Sequence, residues 1–258
     1  MPPILYSDRQ IALVREAGKV IGKCLTLIKS ELKAGVTTKH LDALVADLIK
    51  KEGAQPAFLN YQQGDHTPFP ACICASVNDV VIHGVPDEQP LKEGDLLSID
   101  IGVRKDLYYA DSAWTFAVGS PDEVGAKMLK CGEDVLNLAL TVAKPKSSLI
   151  ELGKTIQKFV EESGFHVVRE FVGHGVGLSL HEEPQVRNYY DPADTRFKDV
   201  ILKPGMILAI EPMITEKSAM IKFGADEWTV RTGDGGRSVH FEHTIAITSN
   251  GPEILTAH

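Results

Sequence analysis

Seven residues in this chain have the types and surroundings of a reaction centre: the acids Asp100, Asp111, Glu211 and Glu242 and the histidines His83, His174 and His181. Alternation along Leu96–Val103 sets Ser98, Asp100 and Gly102 on one face of a strand and Leu97, Ile99, Ile101 and Val103 on the other. Asp100 therefore points away from the apolar face. With Lys105-Asp106 as a two-residue turn, Arg104 pairs with Leu107 and Asp100 with Asp111, which brings their Cβ atoms to about 4.5–5.5 Å. Two opposed carboxylates repel, so the pair is tolerated when one carries a proton or a cation lies between them. A longer turn would leave both acids merely solvated.

Glu211 and Glu242 stand at matching places in a repeat, and a pseudo-twofold axis would carry both acid pairs to one centre. Four unscreened carboxylates in a partly buried pocket would cost several kcal/mol, whereas two divalent ions cancel their charge and are naturally bridged by carboxylates. The donor set of four carboxylates with an imidazole is oxygen-rich and compatible with manganese, iron, cobalt or zinc. The histidines lie in Ile82-His83-Gly84, Gly173-His174-Gly175-Val176-Gly177 and Leu180-His181-Glu182-Glu183-Pro184, where glycines permit close approach of backbone and ligand. A lone histidine is more often a satisfied structural group than a ligand. The glycine run opens no helix, so it does not read as a phosphate cradle.

The elements that would hold these residues occur twice. Leu91-Lys92-Glu93-Gly94-Asp95-Leu96-Leu97-Ser98-Ile99-Asp100 matches Leu202-Lys203-Pro204-Gly205-Met206-Ile207-Leu208-Ala209-Ile210-Glu211, each ending on an acid. A second strand-like stretch with an acid follows in each half, Ala110–Val118 and Phe241–Ile247. Upstream, apolar positions at helical spacing span residues 8–32 and 123–143. Second helices follow, with cap candidates at Thr37 and at Ser148 and stops at Gly53 and Gly164. The expected fold is α+β: a pseudo-twofold duplicated domain with a curved antiparallel sheet and helices on its outer face. Residues 1–258 form a single catalytic domain, with halves of about 1–121 and 122–258.

Of the 258 residues, 43% are hydrophobic and 24% charged, as in ordinary globular proteins. The net charge of −8 argues against affinity for phosphate backbones, so no specific nucleic-acid partner is expected. No basic-then-apolar leader begins the chain and no apolar run reaches the roughly 20 residues needed to cross a bilayer. The expectation is a cytoplasmic protein without a membrane. Cys24, Cys72, Cys74 and Cys131 form no CxxC pair and read as reduced, buried thiols.

These motifs together resemble the type I methionine aminopeptidases, a family of the duplicated fold nicknamed "pita bread". The resemblance covers essentially the whole chain and is most specific at Asn78–Pro86, Gly173–Gly177, His181–Val186, Ile210–Met213 and Glu242–Thr244. It implies a metal-dependent exopeptidase, a hydrolase that removes the initiator methionine from nascent polypeptides. Carried over by motif, Asp100 is a ligand of one divalent metal, His174 and Glu211 of the other, and Asp111 and Glu242 bridge the two. The nucleophile is then a hydroxide between the ions, and Glu211 passes a proton to the leaving amine.

The resemblance makes His83 and His181 substrate contacts rather than ligands: His181 beside the developing oxyanion, His83 near the scissile amide nitrogen. Phe69, Cys74, Met213 and Trp228 line the methionine pocket, and a monovalent cation sits near Asn78, Val80 and Ser238. A monomer acting on nascent chains, with transient contact to the ribosome, is expected. Two competing readings are a proline-specific peptidase of the same fold, whose members usually carry a further amino-terminal domain, and a metal-free binding protein, which would have lost ligands.

Overall fold

The computed structural model describes residues 2–195 and 197–258. Helices α1 (Asp8–Glu31) and α2 (Thr38–Lys51) precede the hairpin Leu96–Lys105/Tyr108–Ala117; α3 (Glu123–Val142) and α4 (Leu149–Glu162) precede the antiparallel pair Ile207–Ile210/His243–Thr248. In α1 the apolar stripe Ile11, Val14, Ala17, Ile21, Leu25 and Ile28 recurs every three or four residues and is buried against the first hairpin. Met128, Val135, Leu136 and Ala139 of α3 serve the second half in the same way. The helices thus cover one face of the sheets and leave the other for the site. Mixed helix and antiparallel sheet in two matching halves is the architecture expected.

The duplication extends to single hydrogen bonds. Thr37 and Ser148 cap α2 and α4, bridging to Pro90 and Ile201, so both pairs are offset by 111 residues (37 to 148, 90 to 201). Gly53 and Gly164, two residues past the helix ends, have φ of +66° and +83°, the left-handed conformation a helix stop requires. Beyond Glu211 the offset grows. Gly94 N donates to Val118 O and Gly205 N to Ile247 O, an offset of 129 (118 to 247) and hence an insertion of 18 residues in the second half. Much of that insertion is the hairpin Ile221–Phe223/Val230–Thr232, which pairs with Val80–Ile82 and carries Trp228.

Two expectations are corrected. The turn is Asp106-Leu107, with φ of +48° and +74°, so Lys105 faces Tyr108, Asp100 faces Ala113 and Asp111 faces Gly102. Positive φ at both central residues matches the twist of the flanking strands, which selects this turn. The acids are diagonal neighbours on one face, since the slip from the expected register is an even one. Second, Ile210 pairs with His243, so one step on Glu211 lies across from Glu242. Glu211 does match Asp100, but the 129-residue offset makes Glu242 the counterpart of Ala113.

Gly132 of α3 lies against Phe241, and a Cβ there would run into the ring. Phe241 is wedged edge-on against Trp114 at 4.8 Å and cannot retreat freely. Alanine improves helix propensity by about 1 kcal/mol, but overpacking costs roughly 1–3 kcal/mol. Gly132→Ala is expected to lower stability by up to about 2 kcal/mol, read as a lower urea midpoint at unchanged slope.

Candidate metal and substrate site

A cavity of about 300 Å³ opens on the face away from the helices, and Asp100, Asp111, His174, Glu211 and Glu242 all line it. The first two come from the hairpin, Glu211 and Glu242 from strand ends of the second half, and His174 from the short strand Gly173–Gly175. The two halves are stitched at this point: Asp111 N donates to Thr244 Oγ1 (3.0 Å), Glu242 N to Ala113 O (2.8 Å) and Ser112 Oγ to Glu242 O (2.6 Å). Glycines flank His174 because no Cβ fits; at Gly173 it would meet Ala209 O and at Gly175 Glu183 O.

Asp111 and Glu242 are buried and Asp100 and Glu211 half-buried, and among the described residues their ion-pair partners are histidines rather than Lys or Arg. Asp100 Oδ1, Asp111 Oδ1 and Glu242 Oε1 have no hydrogen-bond partner. Burial first, then the neighbouring Asp111 and Glu211 charges, holds Asp100 well above the usual carboxylate range. Burial pushes Asp111 to about 7 and, with the Asp111 charge, raises Glu211 and Glu242 well above theirs. His174 lies 3.5 Å from Glu211 Oε1 and 3.9 Å from Asp111 Oδ2 through Nε2. Its Nδ1 is 2.9 Å from Gly175 O, which can only accept, so Nε2 carries the free lone pair that a metal ligand needs. Burial holds its pKa down to about 3, so the ring is neutral.

Ligand atoms lie within 4.8 Å of one another in three sets among the described residues: Asp100, Asp111 and Glu242; His174, Glu211 and Glu242; and Asp111, His174 and His181. Unpartnered carboxylate oxygens converging on neutral imidazole fit divalent cations, which would remove the repulsion that the raised pKa values record.

The sign of that repulsion is measurable. An acid whose folded pKa is raised contributes stability below its unfolded pKa and loses it as pH rises through the folded value. The buried histidines have lowered pKa values and act in the opposite sense, but only as pH falls below about 6.5. From pH 7 upward the acids act first, and the buried thiols, whose pKa values burial also raises, add to them in the same sense above about pH 8.5; only the part due to the acids answers to metal. Protein freed of metal by chelator is expected to melt at progressively lower temperature between pH 7 and 9, and protein given Mn²⁺ to resist this, by differential scanning calorimetry.

The cavity walls are apolar and aromatic. Phe69, Cys74 and Trp228 line it, joined by Phe58, Tyr61, Phe171 and Leu180. Met213, whose strand pairs with Ser238–His240, is buried in a cluster with Val81, Ile82, Val168 and Val230, of which Ile82 lines the cavity. Tyr61 was not distinguishable in sequence from any loop tyrosine. Its hydroxyl is 2.9 Å from His181 Nδ1, and the His181 ring stands edge-on to His174 at 4.5 Å. His83, with φ +57°, packs against Phe171 and Trp228, and burial with His181 nearby holds its pKa to about 4. Asn78 and Ser238 also meet, Ser238 N donating to Asn78 O at 2.7 Å, while Val80 is paired with Arg231. All four cysteines are free and buried. No helix among the described residues is long and apolar enough to cross a membrane.

Residues 12–249 match the model of metallopeptidase family M24. The methionine aminopeptidase 1 of Bacillus subtilis is 45% identical over 98% of both chains. Among solved structures, the methionine aminopeptidase of Thermotoga maritima superposes with a TM-score of 0.94 over the full length of both chains at 39% identity. The prolidase of Pyrococcus furiosus shares the fold alone, at 24% identity and TM-score 0.78, and this chain spans 66% of its length.

Proposed function

We propose, since this chain belongs to metallopeptidase family M24 and within it to the methionine aminopeptidases, that it hydrolyses the amino-terminal methionine from newly made polypeptides at a dinuclear metal centre. The observation that carries this is the set of partnerless buried carboxylate oxygens at the floor of an apolar cavity. Asp100 would hold one ion, His174 and Glu211 the other, and Asp111 and Glu242 both, because each of those two shares one donor set with Asp100 and another with His174. When bound, the ions supply a water of lowered pKa and positive charge for the oxygen that becomes negative in the transition state.

The remaining steps belong to side chains. The Phe69, Cys74 and Trp228 walls accept an unbranched, polarisable thioether. The substrate's α-amino group would bind to the metal centre as a neutral amine, which restricts cleavage to chain ends. His181 would donate Nε2–H to the developing oxyanion, while neutral His83 orients the scissile amide. Glu211, which lines the same cavity, would pass a proton to the leaving amine.

Because the acids come from both halves, about 1–121 and 122–258 act as one catalytic domain. Manganese, iron, cobalt and zinc all suit the donor set, and the single histidine makes the two positions inequivalent. Calorimetric metal titration would then find two unequal sites. We place this activity in the cytoplasm, on chains emerging from the ribosome, carried out by a monomer. A monovalent cation near Asn78, Val80 and Ser238 is a further expectation. The test is release of methionine from Met-Gly-Met-Met by metal-free protein with and without Mn²⁺, Co²⁺ or Fe²⁺, beside an X-Pro peptide. Metal-dependent methionine release without X-Pro cleavage supports the reading; no methionine release under any metal overturns it.

A further inference from the structure

One buried group beside the four acids has no part in that chemistry. His240 is 2% exposed, and its Nε2 has no hydrogen-bond partner although it lies 3.7 Å from Glu211 Oε2 and 4.0 Å from Glu242 Oε2. Buried polar atoms without partners are rare enough that each calls for a physical reason.

Internal symmetry supplies one. Thr244 Oγ1 accepts from Asp111 N (3.0 Å) and donates to Asp111 O (2.7 Å). Thr115 Oγ1 accepts from His240 N (2.9 Å) and donates to His240 O (2.9 Å). The 129-residue offset that relates Val118 to Ile247 also relates Thr115 to Thr244 and Asp111 to His240. Each threonine clamps the backbone of the residue that the twofold places opposite it. His240 therefore occupies, in the second half, the place that Asp111 holds in the first.

The geometry around Glu211 separates the two histidines. Its Oε1 lies 3.5 Å from His174 Nε2, whereas its Oε2 faces His240 Nε2. His240 belongs to none of the three donor sets found among the described residues, so direct ligation is disfavoured. Nε2 is the ring atom turned toward the acids, and it has no other partner to satisfy it.

We propose that His240 is a positioning residue of the metal centre: it donates Nε2–H to Glu211 Oε2 and so turns Glu211 Oε1 toward the position shared with His174. Ligating carboxylates are commonly held by such outer hydrogen bonds, whose loss lowers metal affinity by about 10–100-fold. The proposal rests on the dinuclear reading above.

The test is calorimetric titration of metal-free wild type, His240→Leu and His240→Gln with Mn²⁺, together with the visible absorption of their Co²⁺ forms. In His240→Leu one of the two binding events should weaken by about 10–100-fold and the other little. His240→Gln keeps an N–H donor, so its affinity should stay within a few-fold of wild type and its Co²⁺ spectrum should be unchanged. Wild-type titration by His240→Leu overturns the role. So does a glutamine variant with an altered Co²⁺ spectrum or with affinity as low as leucine gives, because the imidazole itself would then be the ligand. If His240→Leu does not fold, His240→Met, which keeps the volume and likewise has no N–H, is titrated in its place. A wild type that takes up no metal overturns the dinuclear reading as well; two ions bound with an indifferent His240→Leu overturns only the role of His240.

Discussion

Asp111→Asn is expected to abolish metal-dependent methionine release while making the metal-free protein more stable at pH 8. The two effects have one origin. Asp111 lies at the centre of the cluster: it belongs to two donor sets, its Oδ2 faces His174, and burial raises its pKa to about 7. As a bridging ligand it would hold both ions, and metal ions contribute several kcal/mol of transition-state stabilisation, with each 1.36 kcal/mol worth a factor of ten. The expected loss in kcat/KM is therefore about 10³-fold or more. Without metal the same carboxylate is a liability above neutrality, because its charge is desolvated and faces other acids. The near-isosteric amide removes that charge, so the chelated variant should melt above chelated wild type at pH 8. A purely structural Asp111 predicts the reverse: a lower melting temperature with activity reduced only in proportion. Methionine release by a fixed concentration of folded protein and a pair of calorimetric scans separate the two.

Residue pattern announced the scaffold better than the contacts it makes. Helical spacing in α1 and α3, caps at Thr37 and Ser148, and stops at Gly53 and Gly164 are local, and local chemistry decides them. The repeat was visible because Leu91–Asp100 and Leu202–Glu211 carry the same alternation up to an acid. Pairing is different. Asp106-Leu107 carries no glycine to advertise a turn with positive φ, and the 18-residue insertion hides which residue of the second half answers Asp111. His240 therefore went unnoticed, and Glu242 was matched to the wrong acid. The lining of the cavity is hard to read for a related reason. Buried apolar residues look alike in sequence, so Met213, buried in the cluster with Ile82, could not be told from Phe58 or Leu180, which line the cavity. The five acid and histidine positions implied by the resemblance do converge, since Asp100, Asp111 and His174 lie within paired strands and Glu211 and Glu242 directly adjoin the paired residues Ile210 and His243.

His181→Ala is the second large effect, and it should differ in kind from the loss at Asp111. His181 is not anchored by the sheet; it follows the loop at Gly177, which Tyr6 holds by accepting from Leu178 N (3.0 Å) and donating to Glu182. A phenol is the stronger acid of the Tyr61–His181 pair, so its O–H donates to Nδ1 and leaves the proton on Nε2, facing the site. A preorganised donor to an oxyanion contributes about 10²–10³ in kcat. Removing it should lower kcat by that factor, with KM changed little and metal titration unaltered, because His181 is not needed to hold either ion. Tyr61→Phe leaves the imidazole in place but releases its tautomer. One neutral hydrogen bond is worth roughly 0.5–1.5 kcal/mol, so the expected loss is about 2–10-fold. The ordering Tyr61→Phe milder than His181→Ala, with both retaining two bound ions, assigns His181 to the transition state. Loss of an ion in His181→Ala would make it a ligand instead, as its place in one donor set with Asp111 and His174 allows.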